Sequence, residues 1–194
     1  MGSRIAQSLL LLAVCSVAAH AQFLRPRYGA AIEYRGQLDA STDSTQRHGG
    51  LAIRVMMDGA WTPVMGWRVE GAYTQAQYSR KFIDGVAPIN EYGYEIGGSL
   101  RAQGRVGKLW RPYAVAGPLI SLRGSCSFDN AFDRGNVISC GDGNTIRFGW
   151  GAGAGVRYTG GIAGADYTFE TRVLGNLTSN GGGRSIAVAF GAGM

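Results

Sequence analysis

Nucleophilic catalysis through a hydroxyl needs a histidine to take the proton and a carboxylate to orient that histidine. The chain holds two histidines, and only His48 lies beyond its first 21 residues. Around His48 stand Asp39, Ser41, Asp43 and Ser44, the residue types of a Ser-His-Asp arrangement. Neither a G-x-S-x-G elbow nor an H-E-x-x-H pair occurs. The same stretch reads as a solvated loop of Ser, Thr, Asp and Gln, and on that reading no catalytic residue and no enzyme activity is expected.

Two other groupings resemble cofactor or metal chemistry. Gly149-Trp150-Gly151-Ala152-Gly153-Ala154 has the form G-x-G-x-x-A, whose glycines cradle a pyrophosphate when a helix starts inside the motif. Here a two-residue alternation runs through the motif to Tyr158 without a break, so a strand and no cofactor is expected. Cys126 and Cys140 have no further Cys or nearby His to complete a zinc set, so no metal is expected.

The net charge of +6 would suit nucleic acid only if the basic residues clustered. Lys81 and Lys108 are the only lysines, and the arginines are spread one or two per segment, most of them close to a carboxylate. Nucleic acid is therefore excluded as a partner.

Residues 1–21 carry one arginine, an apolar stretch from Ile5 to Ala18 and the site Ala19-His20-Ala21. That is the layout of a secretory signal peptide, too short for a stable spanning helix, and the mature chain is expected to begin at Gln22. Cys126 and Cys140 are then two cysteines in an oxidising compartment, where pairing as a disulfide is expected.

Beyond Gln22 no run of 18 apolar residues exists, so any membrane crossing must use strands. Eight segments alternate with the period of a strand: 28–35, 51–57, 65–73, 92–101, 111–122, 146–158, 165–173 and 186–194. In 146–158, Ile146, Phe148, Trp150, Val156 and Tyr158 share one face with Ala152 and Ala154. The other face holds Arg147, Arg157 and four glycines. Segment 111–122 is apolar on both faces and contains Pro118, where a bulge or local break is expected. The connections alternate long (36–50, 79–91, 123–144, 174–184) with short (58–63, 103–109, 159–162), the rhythm of an up-and-down barrel. Asp58-Gly59 and Gly160-Gly161 supply turn chemistry at the short ends.

An eight-stranded barrel has an interior just wide enough for side chains to fill. Trp67, Trp150, Tyr92, Tyr94, Tyr113, Tyr158 and Phe169 are too many rings for that space, so they are expected to face lipid. The small and charged set is expected inside. Its charges are Glu33, Arg35, Arg54, Arg68, Glu70, Glu95, Arg101, Arg147, Arg157, Asp166, Glu170 and Arg172, with signs that nearly balance. Ions removed from water must be paired, so a lumen ion-pair network is expected, with arginine suited to it by its planar fork.

With its signal, glycine- and tyrosine-rich strands, charged lumen and four long loops, the mature chain resembles the small outer-membrane β-barrel family that includes the OmpA and OmpX membrane domains. The resemblance implies an all-β, eight-stranded antiparallel up-and-down transmembrane barrel over residues 22–194, monomeric, in the bacterial outer membrane, with lipid as its surroundings. It extends to barrel lipases, acyltransferases and proteases that use His with Ser, Asp or Glu. Two departures stand out: the chain ends Phe190-Gly191-Ala192-Gly193-Met194 without the family's terminal aromatic, and no peptidoglycan-binding domain follows.

The expected function is non-enzymatic: support of the envelope, or presentation of loops to an extracellular ligand or surface partner. The third loop, with its disulfide, Phe128, Phe132, Asp129, Asp133 and Arg134, is the expected contact element. A narrow pore is the alternative, and a lipid-modifying enzyme centred on His48 is a further one.

Overall fold

The computed structural model describes residues 26–38, 45–82, 85–128, 146–175 and 184–194. The expected signal peptide, Cys140 and the side chains of Cys126 and His48 lie outside them, and so do Asp39, Ser41, Asp43 and Ser44.

Eight antiparallel strands run β1 Arg27–Gln37, β2 Thr45–Ala60, β3 Met65–Phe82, β4 Gly85–Gln103, β5 Trp110–Phe128, β6 Ile146–Thr159, β7 Asp166–Gly175 and β8 Arg184–Gly193. Each strand pairs with its sequence neighbours, and β1 pairs with β8 to close the barrel. Ladder partners traced from Tyr113 pass through Gly155, Glu170, Ala189, Glu33, Ala52, Thr74 and Gly93. They return to β5 at Arg123, ten residues further on. A closed sheet with such an offset must tilt its strands, by about 35–45° in barrels of this size.

The short connections 61–64, 104–109 and 160–165 share one end with residue 26 and Met194. At the other end the strands run further than the sequence pattern suggests. β3 and β4 stay paired through 79–91 up to Phe82↔Gly85, so this connection is an extension of the hairpin in place of a long loop. The ladder satisfies backbone groups that a loop would leave to water.

Alternation separates the two faces. Along β2, Leu51, Ile53 and Val55 point outward, and Ala52, Arg54, Met56 and Asp58 are buried. Outward rings collect at two levels. Tyr73 lies 5.4 Å from Tyr94 and 6.3 Å from Tyr92 toward the long-strand end. Trp110 lies 4.9 Å from Tyr158, and Tyr167 stacks on Phe190 at 6.4 Å, toward the short-turn end. Two such belts bracketing an apolar band are the signature of a wall in contact with a bilayer.

β5 departs from expectation. Tyr113, Val115 and Leu119 face inward and are buried, while Ala114, Ala116, Pro118 and Ile120 face outward. With both faces apolar, hydropathy could not set the phase; the neighbouring strands do. A Cβ at Gly155 would sit 2.7 Å from the Tyr113 ring, and one at Gly151 only 3.2 Å from Leu119. The glycine row of β6 thus vacates the volume that β5 fills, as close packing requires. Pro118 causes a local break in place of a bulge: the β4–β5 register is the same at Gly97↔Leu119 as at Leu100↔Ala116, and the pairs between them, at Gly117 and Pro118, drop out of the ladder.

Candidate functional site

Among the described residues, the strands bring chemically active side chains together in the charged interior. Five carboxylates and six arginines are linked there into one network, and all but half-buried Arg35 are almost fully buried.

Toward the outer end, Arg35 grips Glu95 with both terminal nitrogens, at 2.7 and 2.8 Å, and donates through Nε to Glu33 at 2.6 Å. The fork geometry and the two charges make this a strong class of hydrogen bond. Glu33 also accepts from Arg172 at 3.2 Å, and Arg172 donates to Glu70. Arg54 is the central bridge, reaching Glu170 at 2.8 Å and Glu70 at 3.3 Å.

Glu170 accepts from Arg54, from Arg68 at 2.5 Å and from the Tyr113 hydroxyl at 2.8 Å. Both the guanidinium of Arg68 and that of Arg101 approach the Tyr113 ring, at 5.3 and 5.9 Å from its centre, so the ring's negative face adds to the binding of two cations. The inward turn of Tyr113 is what puts its hydroxyl and its ring to this use.

At the short-turn end, Asp58 accepts from three arginines: Arg68 at 2.7 Å, Arg101 at 2.5 Å and Arg157. Arg101 also donates to Gln103 at 2.7 Å, and the Gln103 amide donates to the Pro63 carbonyl at 3.0 Å, which ties the network to the turn 61–64. Asp58 is missing from the twelve charged residues the sequence nominates. Asp-Gly reads as a turn signal, yet β2 runs on to Ala60 and Asp58 pairs across the ladders with Arg27 and Arg68. Its parity with Arg54 and Met56 was the signal that could have found it.

Ten of the twelve nominated residues lie in the network. Asp166 is instead at the rim, where Arg27 donates to it at 3.1 Å with both partners partly exposed. Arg147 is half-buried near the outer end of β6. Side chains from β1, β2, β3, β4, β5, β6 and β7 take part, counting Tyr113. β8 contributes only the small lumen residues Ala187, Ala189 and Gly191 that leave them room.

Ions taken out of water cost several kcal/mol each unless well paired, and a network of multiply bonded carboxylates is the arrangement that offsets this cost. Each carboxylate of the network accepts from at least one arginine, while the buried Nε atoms of Arg54, Arg101 and Arg172 make no hydrogen bond.

Residues 8–170 match the family described as "Outer membrane protein beta-barrel domain", which is well over half of the chain. Several solved structures share the fold, among them the two that follow. Neisserial surface protein A is 17% identical with a TM-score of 0.53, and the match covers 87% of this chain and 94% of that one. The outer membrane protein OprG from Pseudomonas aeruginosa is 12% identical with a TM-score of 0.55 over the same shares. No curated protein matches the sequence closely enough to count as a relative. The closed barrel, its ringed apolar wall and its charged interior are those of a protein of the bacterial outer membrane, and the chain belongs to the outer membrane protein beta-barrel domain family.

Proposed function

We propose that this chain is a monomeric, non-enzymatic outer-membrane barrel that supports the envelope and offers its outer ends to an extracellular ligand or surface partner. The observation that carries this reading is the lumen: eleven charged groups on six strands, joined by hydrogen bonds and ion pairs, with Tyr113 of a seventh strand bonded to them. The same filling disfavours a pore, which needs a continuous file of water where these side chains sit. One cavity at the short-turn mouth, lined in part by Arg27, Met56, Asp58 and Arg157, measures about 20 Å³, room for a single water.

Work at the outer surface is favoured by the β3–β4 hairpin. Its ladder continues past Tyr73 and Tyr92, where the apolar wall ends, up to Phe82↔Gly85. Residues 74–82 of β3, at about 3.3 Å each, extend on the order of 30 Å along the strand direction. Binding elements are commonly carried on such projections from a rigid scaffold.

Planar bilayers test the reading. The purified, refolded barrel is expected to give no discrete conductance steps; regular single-channel openings would replace this proposal by the narrow-pore alternative. Unchanged lipid composition in a deletion strain is expected as well, and loss of a lipid modification that His48→Ala also abolishes would make the protein an enzyme.

A further inference from the structure

The short-turn mouth of the lumen, which faces the periplasm in this family of barrels, holds more positive charge than the network answers. Val106 bridges to Trp110 across the β4–β5 turn, and the Gly104 N–H donates to the Pro112 carbonyl at 2.7 Å. The β4–β5 register therefore continues past Gln103↔Tyr113 and sets Arg105 opposite Arg111, which is the ladder partner of Arg157 on its other side. Counting by twos from inward-facing Arg101 and Tyr113 puts this row on the lumen face. Like charges directly opposite one another on a sheet are destabilising.

The three arginines are served unequally. Arg157 donates to Asp58, a carboxylate that it shares with Arg68 and Arg101. Arg105 has the neutral Gly107 carbonyl of its own turn, at 3.1 Å. Arg111 makes no hydrogen bond or ion pair with a described residue through any of its nitrogens. That separates it from Arg54, Arg101 and Arg172, whose Nε atoms are also bare but which each donate to a carboxylate through a terminal nitrogen. Across the whole mouth, the inward positions carry Arg27, Arg101, Arg105, Arg111 and Arg157 against only Asp58 and Asp166, and Asp166 is taken by Arg27.

The facing wall leaves room beside this row. Across the barrel from β5, strands β8, β1 and β2 bring Gly191, Gly193, Gly29 and Ala60 to the inner face at this end. A concave mouth lined mainly by one sign of charge, with a low-dielectric wall around it, focuses its field on ions of the opposite sign that enter from water.

We propose that the periplasmic mouth of the lumen binds a small soluble oxyanion of the phosphate class, held by Arg105 and Arg111 with Arg157 beside them. The planar guanidinium fork can meet two oxygens of such an anion, and a dianion set among the arginines offsets the repulsion that the ladder imposes. Because the row lies on the inner face, the ligand arrives through the aqueous mouth and not from the bilayer.

The test is calorimetric titration of inorganic phosphate into the full-length folded barrel, held in phosphatidylcholine nanodiscs at constant ionic strength. The wild type is expected to bind one phosphate per barrel, saturably. Arg111→Gln is expected to bind about tenfold more weakly, the change that accompanies loss of one strong charge-assisted contact. Arg27→Gln removes the same charge from the same mouth, but from a cation already paired with Asp166, and is expected to weaken binding far less. Should Arg111→Gln fail to fold, Arg105→Gln on the exposed turn carries the same comparison. Absence of saturable binding by the wild type would overturn the proposal. Equal weakening by Arg111→Gln and Arg27→Gln would do so too, since the mouth would then attract anions only through its overall charge. Competition against phosphate by phosphatidylglycerol added to the discs would also overturn it, because the arginines would then be within reach of lipid.

Discussion

Asp58→Asn is expected to destabilise the folded barrel by about 3–5 kcal/mol, the usual cost of leaving buried charge without its partner. The substitution keeps the size of the side chain and removes the one carboxylate shared by Arg68, Arg101 and Arg157. Arg68 keeps Glu170, and Arg101 keeps only the neutral oxygen of Gln103. The comparison is Asp166→Asn at the rim, whose pair with Arg27 is partly exposed and worth about 0–1 kcal/mol. Urea unfolding in lipid vesicles, read by the mobility of unheated samples on gels, gives both midpoints. A midpoint for Asp58→Asn no lower than that of Asp166→Asn would mean that the network does not hold the barrel together. Adding Arg157→Gln to Asp58→Asn should restore part of the loss, because one stranded cation is then gone.

A second large effect is expected one residue away from a tolerated arginine. Arg54 is 1% exposed and bonded to Glu70 and Glu170; Val55, its neighbour in sequence, is 59% exposed on the outer wall. Moving the charge by one position reverses its face, because side chains alternate along a strand. Val55→Arg is therefore expected to cost about 2–4 kcal/mol in a bilayer, the range for arginine in the middle of the lipid-facing wall. Val55→Leu, of the same polarity, should cost well under half as much. The same unfolding assay reads both, and a Val55→Arg midpoint equal to that of Val55→Leu would place Val55 in water.

How much of this was legible in the sequence depended on whether the two faces of a strand differed. In β6 a ring-and-aliphatic face opposes arginines and glycines, and in β2 Arg54 interrupts an aliphatic series, so both strands show their phase directly. β5 has Tyr113, Val115 and Leu119 on one face and Ala114, Ala116 and Ile120 on the other. Nothing in hydropathy distinguishes them, and the phase was set by the empty glycine row of β6 across the ladder. Asp58 was hidden by a different conflict: its local chemistry favours a turn, and pairing with three arginines holds it in the strand. Which arginine meets which acid was not legible at all. Arg35 finds Glu95 and Arg68 finds Glu170 because closure with a ten-residue offset brings distant strands to one level, and no single segment encodes that offset.

The strand ends are hidden in the sequence for a related reason. Outside the apolar wall a paired strand no longer needs an apolar face, so Gln75, Gln77 and Ser79 continue β3 without the alternation that identifies it. The hairpin beyond Tyr73 continues its ladder to Phe82↔Gly85, and the polar composition there resembles a loop.

The account rests on which way the alternating rows face, and lipid-borne quenching reads that directly. A single fluorescent label is attached in turn to cysteines placed at 51 through 56 in a background lacking the native cysteines, and the barrel is inserted in bilayers containing brominated lipid. Strong quenching at 51, 53 and 55, with weak quenching at 52, 54 and 56, is the predicted result. Strong quenching on the even positions, or no two-residue period, would contradict the outward apolar wall and the charged lumen together.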